Sequence, residues 1–295
     1  MTRLSSRTSP RISVVAPVHN EVESLERLVL EIAAVLDPLD GGYEILLVDD
    51  GSDDGSSELI EDLGRRHEAV RPLRRQTRGG QSVAVLAGIR AARGVIVVTI
   101  DSDLQNDPAD IPVLLDLLEA YDLVGGIRAK RQDRWHRRAA SRAANAIRRL
   151  VLGDSFTDVG CSLKAYRASY LRDLPAFDGL HRFLPVIVER RGARVKEVPV
   201  RHRPRPFGAS KYDIGGRALR GIADLFGVRW LERRTVDSSL AREIQLGPRR
   251  PRTMPALDQE PPDRDRTAGI EAQTAARPST RGPVARLDDQ GSLCK

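Results

Sequence analysis

Three oxygen-bearing side chains stand at alternate positions: Asp101, Asp103 and Gln105. They follow an apolar run at residues 95–100, which is typical of a strand buried on both faces. Two carboxylates and a carboxamide suit a hard cation such as Mg²⁺ or Mn²⁺ rather than zinc. The alternative is an acidic turn that caps a helix beginning near Pro108, because Asp and Pro are favoured at helix starts.

The elements that would position these side chains alternate between strands and helices. Apolar runs near 11–18, 43–48 and 95–100 predict strands, and apolar residues recur between them at three- and four-residue intervals. Further on, the pattern predicts a helix over 111–121 and a strand entering a helix at 159–167. This order predicts an α/β fold with a mostly parallel, Rossmann-like sheet and flanking helices.

Polar clusters follow three of the predicted strands, at 17–21, 49–53 and 101–105. Parallel strands end at one edge of their sheet, and ligands of such sheets bind beyond that edge. One acidic turn is often only a helix cap, whereas three polar clusters on the same edge predict a binding site.

The charge of the chain points to an anionic partner. The 295 residues carry a formal net charge of +7, with only 4% aromatic residues, and most basic residues are arginine. Arginine pairs with phosphate through two parallel hydrogen bonds. The candidate partners are nucleic acid, an anionic membrane surface or a phosphorylated small molecule. We expect no nucleic acid, because the basic segments lack the interleaved aromatic residues that stack on single strands.

Basic residues are concentrated in three segments, at 128–149, 203–212 and 215–234. The first has almost no acidic partners at helical spacing, which favours phosphate or anionic lipid over a solvated helix face. The second is a loop rich in phosphate donors. The third places apolar residues at helical spacing among arginines, which fits either docking on the domain or a helix in a membrane interface.

We therefore expect four parts: a flexible N-terminus (1–10), a catalytic domain (11–214), an amphipathic helix (215–234) and a disordered polar tail (235–295). No stretch approaches the roughly 20 apolar residues that span a bilayer, and the N-terminus has no apolar signal-peptide core. Two distant cysteines indicate a reducing compartment. These features predict a cytoplasmic protein peripherally associated with the inner face of the membrane.

Taken together, these segments resemble the family 2 glycosyltransferases of the GT-A fold. Among them the chain is similar to polyprenyl-phosphate sugar synthases, both the dolichyl-phosphate mannose synthase type and its bacterial undecaprenyl-phosphate relatives. The matching motifs keep the family order, at 17–21, 48–55, 101–108, 158–164 and 203–212. The Asp-Leu-Gln-Asn-Asp-Pro run and the Gly-x-Ser-Lys-Tyr loop are more specific for these synthases than the acidic pair that begins at Asp49, which all family 2 enzymes share. One departure is Arg78-Gly79, where relatives usually have Asn and an aromatic residue, so part of the nucleotide pocket is expected to differ.

The resemblance implies roles for individual residues. Those implied to bind a nucleotide sugar are Pro17, Asn20, Glu21, Asp49, Asp50, Gly80, Gln81, Asp101 and Ser102. Those implied to hold Mg²⁺ or Mn²⁺ on the diphosphate are Asp101, Asp103 and Gln105. Those implied to bind acceptor or donor phosphates are Arg128, Arg138, Arg203, Arg205, Ser210 and Lys211. Of all these, the residues expected to be catalytic are Asp101, Asp103, Arg128 and Lys211.

The implied reaction is inverting transfer of a hexose from a donor of the GDP-mannose or UDP-glucose type to polyprenyl phosphate. A phosphate monoester, with a second pKa of about 6, is largely ionised at neutral pH and needs no strong base. The alternative within the family is a saccharide acceptor in cell-envelope polysaccharide synthesis, which should need a carboxylate base that residues 181–183 do not offer. The sugar, the base, the metal and the assembly state, one copy or a homo-oligomer, stay open.

Two alternatives come from other classes of protein. A phosphoacceptor signalling domain has similar acidic strand ends, but it should span roughly 120 residues and begin with its acidic strand. A catalytically inactive basic binder would have no use for the intact set Asp101, Asp103 and Gln105.

Overall fold

The computed structural model describes three stretches of the chain: residues 9–128, 145–207 and 215–234, the last without the side chains of 215–223 and 232. All of them belong to the first of two units into which the chain divides, residues 1–237. The predicted disordered tail lies outside the described residues. So do three predicted site residues: Arg138, Ser210 and Lys211.

Strands and helices alternate through most of the described chain, as predicted. The strands are β1 (Ile12–Val18), β2 (Tyr43–Asp50), β3 (Val70–Arg75), β4 (Ile96–Thr99), β5 (Leu123–Arg128), β6 (Lys164–Arg167) and β7 (Val195–Val200). The helices are α1 (Val22–Leu36), α2 (Ser56–Arg66), α3 (Gln81–Ala91), α4 (Ile111–Leu117), α5 (145–152), α6 (Leu180–Arg190) and α7 (Gly215–Arg234). Two short 3₁₀ turns complete them, at Pro108–Asp110 and Ala168–Leu171.

The strands form one seven-stranded sheet in the order β3-β2-β1-β4-β6-β5-β7. The pairs β1–β2, β1–β4, β2–β3 and β5–β7 are parallel, which confirms the mostly parallel sheet. Strand β6 runs antiparallel to both of its neighbours, β4 and β5. The start of β6 therefore lies at the same edge as the ends of β1, β2 and β4.

The core consists of two apolar layers, one on each face of the sheet. Successive residues of a strand point to opposite faces, so Val14 packs with α1, α2 and α4 while Val15 packs with α3 and α6. Burial on both faces explains why the central strands are almost continuously apolar. On the second face, Gly88 of α3 lets the helix approach β1, because a Cβ there would lie 2.3 Å from Val15 Cγ1.

Two predicted elements are shorter than expected. The helix predicted over 111–121 ends at Leu117, because the chain tightens into i→i+3 bonds, such as Ala120 N–H to the Leu117 carbonyl, before entering β5. The predicted strand-to-helix unit at 159–167 is a turn, then a strand that begins only at Lys164, then a 3₁₀ turn. Glycine in the turn and the four-residue strand leave little periodic signal in the sequence.

The buried carboxylate of Asp122, just before β5, ties three strand ends together. It accepts hydrogen bonds from the backbone N–H and the Nε of Arg194 at 2.9 and 3.1 Å, and lies 3.4 Å from Arg167 Nε. The Asp122 carbonyl also accepts from the Arg167 N–H at 2.9 Å. The hydrogen bond from Arg194 lowers the pKa of Asp122. The ionised carboxylate therefore stabilises the half of the sheet that contains β5, β6 and β7.

We expect Asp122→Asn to lower the free energy of unfolding by about 1 kcal/mol at neutral pH, because the hydrogen bonds from the Arg194 backbone and guanidinium lose their charged acceptor. A carboxylate with a lowered pKa stabilises the fold above its unfolded-state pKa of about 4, and this contribution disappears as the pH falls below that value. Urea denaturation at neutral pH and near pH 3.5 (about half a unit below that pKa) measures the difference, which should shrink in acid. Asp116→Asn, at an exposed carboxylate on α4, is the control. Equal changes in unfolding free energy for the two variants would contradict the stabilising role of Asp122.

Candidate functional site

The polar clusters that follow β1, β2 and β4 meet in one cavity, as the predicted sheet requires. We call it the acidic cavity. Its polar lining residues include Glu21, Asp50, Arg78, Gln81, Asp101, Ser102, Asp103 and Arg205. Pro17 and Gly80 also line it. Ser102 joins two of the clusters, because its Oγ donates to the Pro17 carbonyl at 2.9 Å.

The carboxylate of Asp50, at the end of β2, is held by three donors. It accepts hydrogen bonds from Arg75 Nη1 at 2.6 Å, from the Gly79 N–H at 2.9 Å and from the Gly80 N–H at 2.6 Å. A Cβ at position 79 would lie 2.0 Å from Arg75 Nη1. The departure at Arg78-Gly79 therefore has a physical reason, since Gly79 makes room for the guanidinium that fixes Asp50.

Asn20 and Asp49 lie outside the lining of the acidic cavity and support its wall instead. Asp49 is buried and accepts hydrogen bonds from the Ser52 N–H at 3.0 Å and from the Ser57 hydroxyl. The Asn20 amide exchanges two hydrogen bonds with Asp53, at 2.5 and 2.9 Å. Asn20 therefore joins the turn after β1 to the turn after β2, whereas Asp49 holds the turn after β2 against the start of α2.

Two carboxylates after β4, Asp101 and Asp103, form the negative centre of the cavity. Burial, together with the charge of Asp103, raises the pKa of Asp101 to about 6. Burial likewise raises the pKa of Asp103. Two neighbouring carboxylates whose charges are poorly solvated fit a hard divalent cation, which would favour the ionised form of both.

The residues around this pair limit how such a cation could be held. In the part of the chain that the structure describes, no three His, Cys, Asp or Glu side chains are arranged around a metal position. Gln105 lines neither cavity, and its backbone N–H donates to Asp103 Oδ1 at 3.1 Å. A cation bound at Asp101 and Asp103 would therefore take further oxygen ligands from outside this set of carboxylates.

The segment after β7 lies across the loop that carries these carboxylates. The Arg205 guanidinium contacts the Glu21 carboxylate and lies 3.6 Å from Asp103 Oδ2, inside the acidic cavity. Arg203 lies outside it, with Nη1 2.7 Å from Glu31 Oε2 and Nη2 2.7 Å from Asp107 Oδ1. Of these two predicted phosphate ligands, the structure places only Arg205 in the cavity.

A second cavity adjoins the first, and we call it the basic cavity. The two share Pro17, Gln81 and Asp101. The basic side chains that line the second cavity are Arg128, Lys164, His181 and Arg182. Gln81 Nε2 donates to Asp101 Oδ1 at 3.0 Å, which fixes the carboxylate in the shared wall. Asp101 therefore stands between an acidic and a basic cavity.

The basic side chains of the second cavity are held by different partners. Arg128, at the end of β5, makes a bidentate pair with Asp158, at 2.8 and 2.7 Å. His181 Nδ1 lies 2.7 Å from the Ser82 hydroxyl, which also accepts a hydrogen bond from the Gly179 N–H at 2.8 Å. These contacts join the starts of α3 and α6 and orient the imidazole.

Three basic residues that line the basic cavity were not among the predicted site residues: Lys164, His181 and Arg182. Lys164 lies at the start of β6, and a strand predicted from residue 159 in a mostly parallel sheet does not place it at this edge. Only the antiparallel pairing of Thr99 with Lys164 does so. The sequence signals that could have found them are a lysine at the start of a short strand and two adjacent basic residues at a helix start.

An acidic and a basic cavity with one shared wall suit a reaction between two anionic substrates. The carboxylates can hold a cation that carries one substrate, and the basic side chains can bind the other. Asp101 would lie closest to both. This arrangement favours group transfer rather than simple binding of one ligand.

Comparison with known proteins agrees with this chemistry. A family model described as glycosyl transferase family 2 matches residues 13–174, more than half of the chain. An undecaprenyl-phosphate 4-deoxy-4-formamido-L-arabinose transferase from Edwardsiella ictaluri (strain 93-146) is 39% identical over 210 residues, which are 70% of this chain and 65% of that protein. A transferase of the same name from Sodalis glossinidius (strain morsitans) is 40% identical over 209 residues, 69% of this chain and 63% of that protein. The chain thus spans slightly less than two thirds of these relatives.

The fold has a counterpart among solved structures. Glucosyl-3-phosphoglycerate synthase from Mycobacterium tuberculosis, in complex with Mn²⁺, UDP-glucose and phosphoglyceric acid, matches with a TM-score of 0.57 and 23% identity. The match covers 75% of this chain and 80% of that one. This likeness confirms the expected GT-A fold, and the family match excludes a phosphoacceptor signalling domain. The chain belongs to glycosyl transferase family 2.

Proposed function

We propose that this glycosyltransferase moves one sugar from a nucleotide sugar to a polyprenyl phosphate. The observation that carries the proposal is the position of Asp101 in the wall between an acidic and a basic cavity. The names of the relatives, which are undecaprenyl-phosphate transferases, support a lipid phosphate as acceptor. The sugar is a hexose, as predicted, or the formamido-arabinose in those names, and the assay below separates the two.

The donor would occupy the acidic cavity. Pro17, Glu21, Asp50 and Gln81 line the part next to the turn before α3, where a base and ribose would bind. Its diphosphate would lie toward Asp101, at the wall shared with the second cavity. The bound UDP-glucose of the M. tuberculosis neighbour supports a uridine nucleotide.

Asp101 and Asp103 would hold Mg²⁺ or Mn²⁺ on this diphosphate, and Gln105 remains the predicted third ligand. When bound, the cation would neutralise charge on the departing nucleoside diphosphate, an effect of several kcal/mol. The protein keeps both carboxylates in place through Gln81, which donates to Asp101, and through the Gln105 N–H, which donates to Asp103. Arg205 is close enough to Asp103 to place a second positive charge near the same phosphates.

The acceptor phosphate would bind in the basic cavity and attack the anomeric carbon from the side opposite the diphosphate. A phosphate oxygen forms the new bond, and the electron pair of the broken bond leaves with the nucleoside diphosphate. No proton must move, because the phosphate is already ionised. Among the described residues that line the basic cavity, Asp101 is the single carboxylate, so a separate carboxylate base for a saccharide hydroxyl is missing from that set.

Helix α7 would bring the protein to its lipid substrate. Leu225 and Val228 are buried against the domain, whereas Phe226 and Trp230 are 61% and 63% exposed. The guanidinium of Arg234 lies 5.9 Å from the centre of the Trp230 ring. Exposed aromatic residues beside arginines are typical of a helix at an anionic membrane surface. None of the described helices is long and apolar enough to cross a bilayer.

We expect the purified protein with Mn²⁺ to transfer sugar to polyprenyl phosphate from at least one donor among UDP-glucose, GDP-mannose and nucleotide-linked 4-deoxy-4-formamido-L-arabinose. A chelator should stop the reaction, and added Mg²⁺ or Mn²⁺ should restore it. Asp103→Ala should lower the rate by at least about 100-fold, because the diphosphate loses its charge neutralisation. Thin-layer separation of labelled lipid product measures the transfer.

Asp116→Ala is the matched control for this assay, because it removes an exposed carboxylate on α4. Its rate should equal that of the unmodified protein, and circular dichroism should show both variants folded. Near-normal transfer by Asp103→Ala would refute the metal site. Transfer to a saccharide hydroxyl but never to lipid phosphate would favour the alternative acceptor.

The double variant Phe226→Ser and Trp230→Ser should bind vesicles that contain anionic lipid at least about tenfold more weakly, because it loses two exposed aromatic side chains. Sedimentation with the vesicles measures this binding. Leu30→Ser, at a half-exposed position on α1, is the control and should bind normally. Equal loss in both proteins, or no loss in either, would contradict a membrane role of α7.

A further inference from the structure

The side chain of Lys164 is buried at the wall of the basic cavity, and none of the described carboxylates forms an ion pair with it. Lys164 is 3% exposed and lines the basic cavity but not the acidic one. Resting on the proposed function, we propose that Lys164 is a further catalytic residue, whose Nζ binds the attacking phosphate of the lipid acceptor.

The hydrogen bonds of Lys164 go to backbone carbonyls. Nζ donates to the Val159 carbonyl at 3.1 Å and also to the Cys161 carbonyl. Within residues 9–128, 145–207 and 224–231, no carboxylate lies within ion-pair distance of it. The other buried basic side chain of the same stretches, Arg148, has Asp154 at 2.9 Å. Among the described residues, Lys164 therefore has backbone carbonyls as partners but no carboxylate that would balance its charge.

Burying a charged lysine costs free energy, because the loss of hydration destabilises the ammonium group far more than hydrogen bonds to carbonyl oxygens stabilise it. Burial lowers the pKa of Lys164, and the more distant charges of Asp158 and Asp101 act in the opposite direction. A residue needed only to bond two carbonyls could be a neutral donor. The charge itself is useful if an anion binds beside it, and Lys164 is among the residues that line the basic cavity.

Arg128, another basic residue of the cavity, differs from Lys164 because a carboxylate balances its charge. Both oxygens of Asp158 are taken by Arg128, so that guanidinium brings little net charge to the cavity. The antiparallel pairing of Lys164 with Thr99 places the lysine one strand away from the end of β4, which continues into Asp101. Lys164 thus supplies net positive charge on the acceptor side of Asp101.

In the proposed step, Nζ donates one charge-assisted hydrogen bond to a non-bridging oxygen of the acceptor phosphate. A second oxygen of that phosphate forms the bond to the anomeric carbon while the bond from that carbon to the diphosphate oxygen breaks. The electron pair leaves with the nucleoside diphosphate, and Lys164 keeps its proton. Its positive charge offsets the repulsion between two phosphates that must approach each other.

The test compares Lys164→Met, Lys164→Arg and the control Lys196→Met, which makes the same chemical change at an exposed position on β7. Steady-state transfer is measured against polyprenyl phosphate and against donor, with Mn²⁺-dependent UDP binding and thermal denaturation in parallel. Lys164→Met should lower kcat/KM for polyprenyl phosphate by about 100-fold, the usual effect of losing one charged hydrogen bond. UDP binding and the Lys196→Met rates should not change.

Lys164→Arg keeps the charge but moves its donors, so it should recover part of the lost kcat/KM for lipid phosphate. A folded Lys164→Met protein with unchanged kinetics would overturn the inference, as would equal losses toward donor and acceptor. If Lys164→Met does not fold, the kinetics of Lys164→Arg become the test. An unchanged KM of Lys164→Arg for lipid phosphate would then overturn the inference. Absence of transfer in the unmodified protein would instead overturn the proposed function itself.

Discussion

The site depends on the way β4 is paired. This four-residue strand has the parallel strand β1 on one side and the antiparallel strand β6 on the other. On the first side, carboxyl ends of parallel strands gather acidic residues next to Asp101. On the second side, β6 begins where β4 ends, which brings Lys164 to the same edge. One change of strand direction therefore places an acidic and a basic cavity on opposite sides of a single carboxylate.

Many polar residues near this edge maintain its shape rather than line it. Asn20 joins the turn after β1 to the turn after β2, and Asp49 holds the turn after β2, whereas Asp122 joins β5, β6 and β7 at the opposite edge of the sheet. These contacts matter because charge neutralisation falls off steeply when opposite charges move apart. The ordering of strand ends is thus part of the chemistry, although these side chains lie outside both cavities.

Arg205 partly neutralises the negative charge of the acidic cavity. Its guanidinium contacts Glu21 and lies 3.6 Å from Asp103, so the carboxylates repel one another less than their number suggests. Burial still raises the pKa of both Asp101 and Asp103. A divalent cation with a diphosphate would complete the neutralisation that one arginine begins.

The sequence predicted the fold, and it predicted that the acidic residues after β2 and β4 would meet at one edge of the sheet. Apolar runs that end in Asp50 and Asp101 are strong signals, since a doubly buried strand tolerates acids only at its end. The family motifs added Glu21 and Gln81, which line the acidic cavity.

The basic half was harder to predict. Lys164 belongs to a four-residue strand whose direction is set by pairing with β4 and β5, not by local residues. Arg203 remains a predicted phosphate ligand, although Glu31 and Asp107 pair with its guanidinium in this structure. Long-range ion pairs of this kind leave no periodic signal in the sequence.

We propose that Asp101 separates a donor diphosphate from an acceptor phosphate. A crystal structure with UDP, Mn²⁺ and a short-chain polyprenyl phosphate would test this arrangement. We expect anomalous scattering from Mn²⁺ at Asp101 and Asp103, and the lipid phosphate in the basic cavity beside Arg128 and Lys164. Manganese away from these carboxylates, or both phosphates on the same side of Asp101, would contradict it.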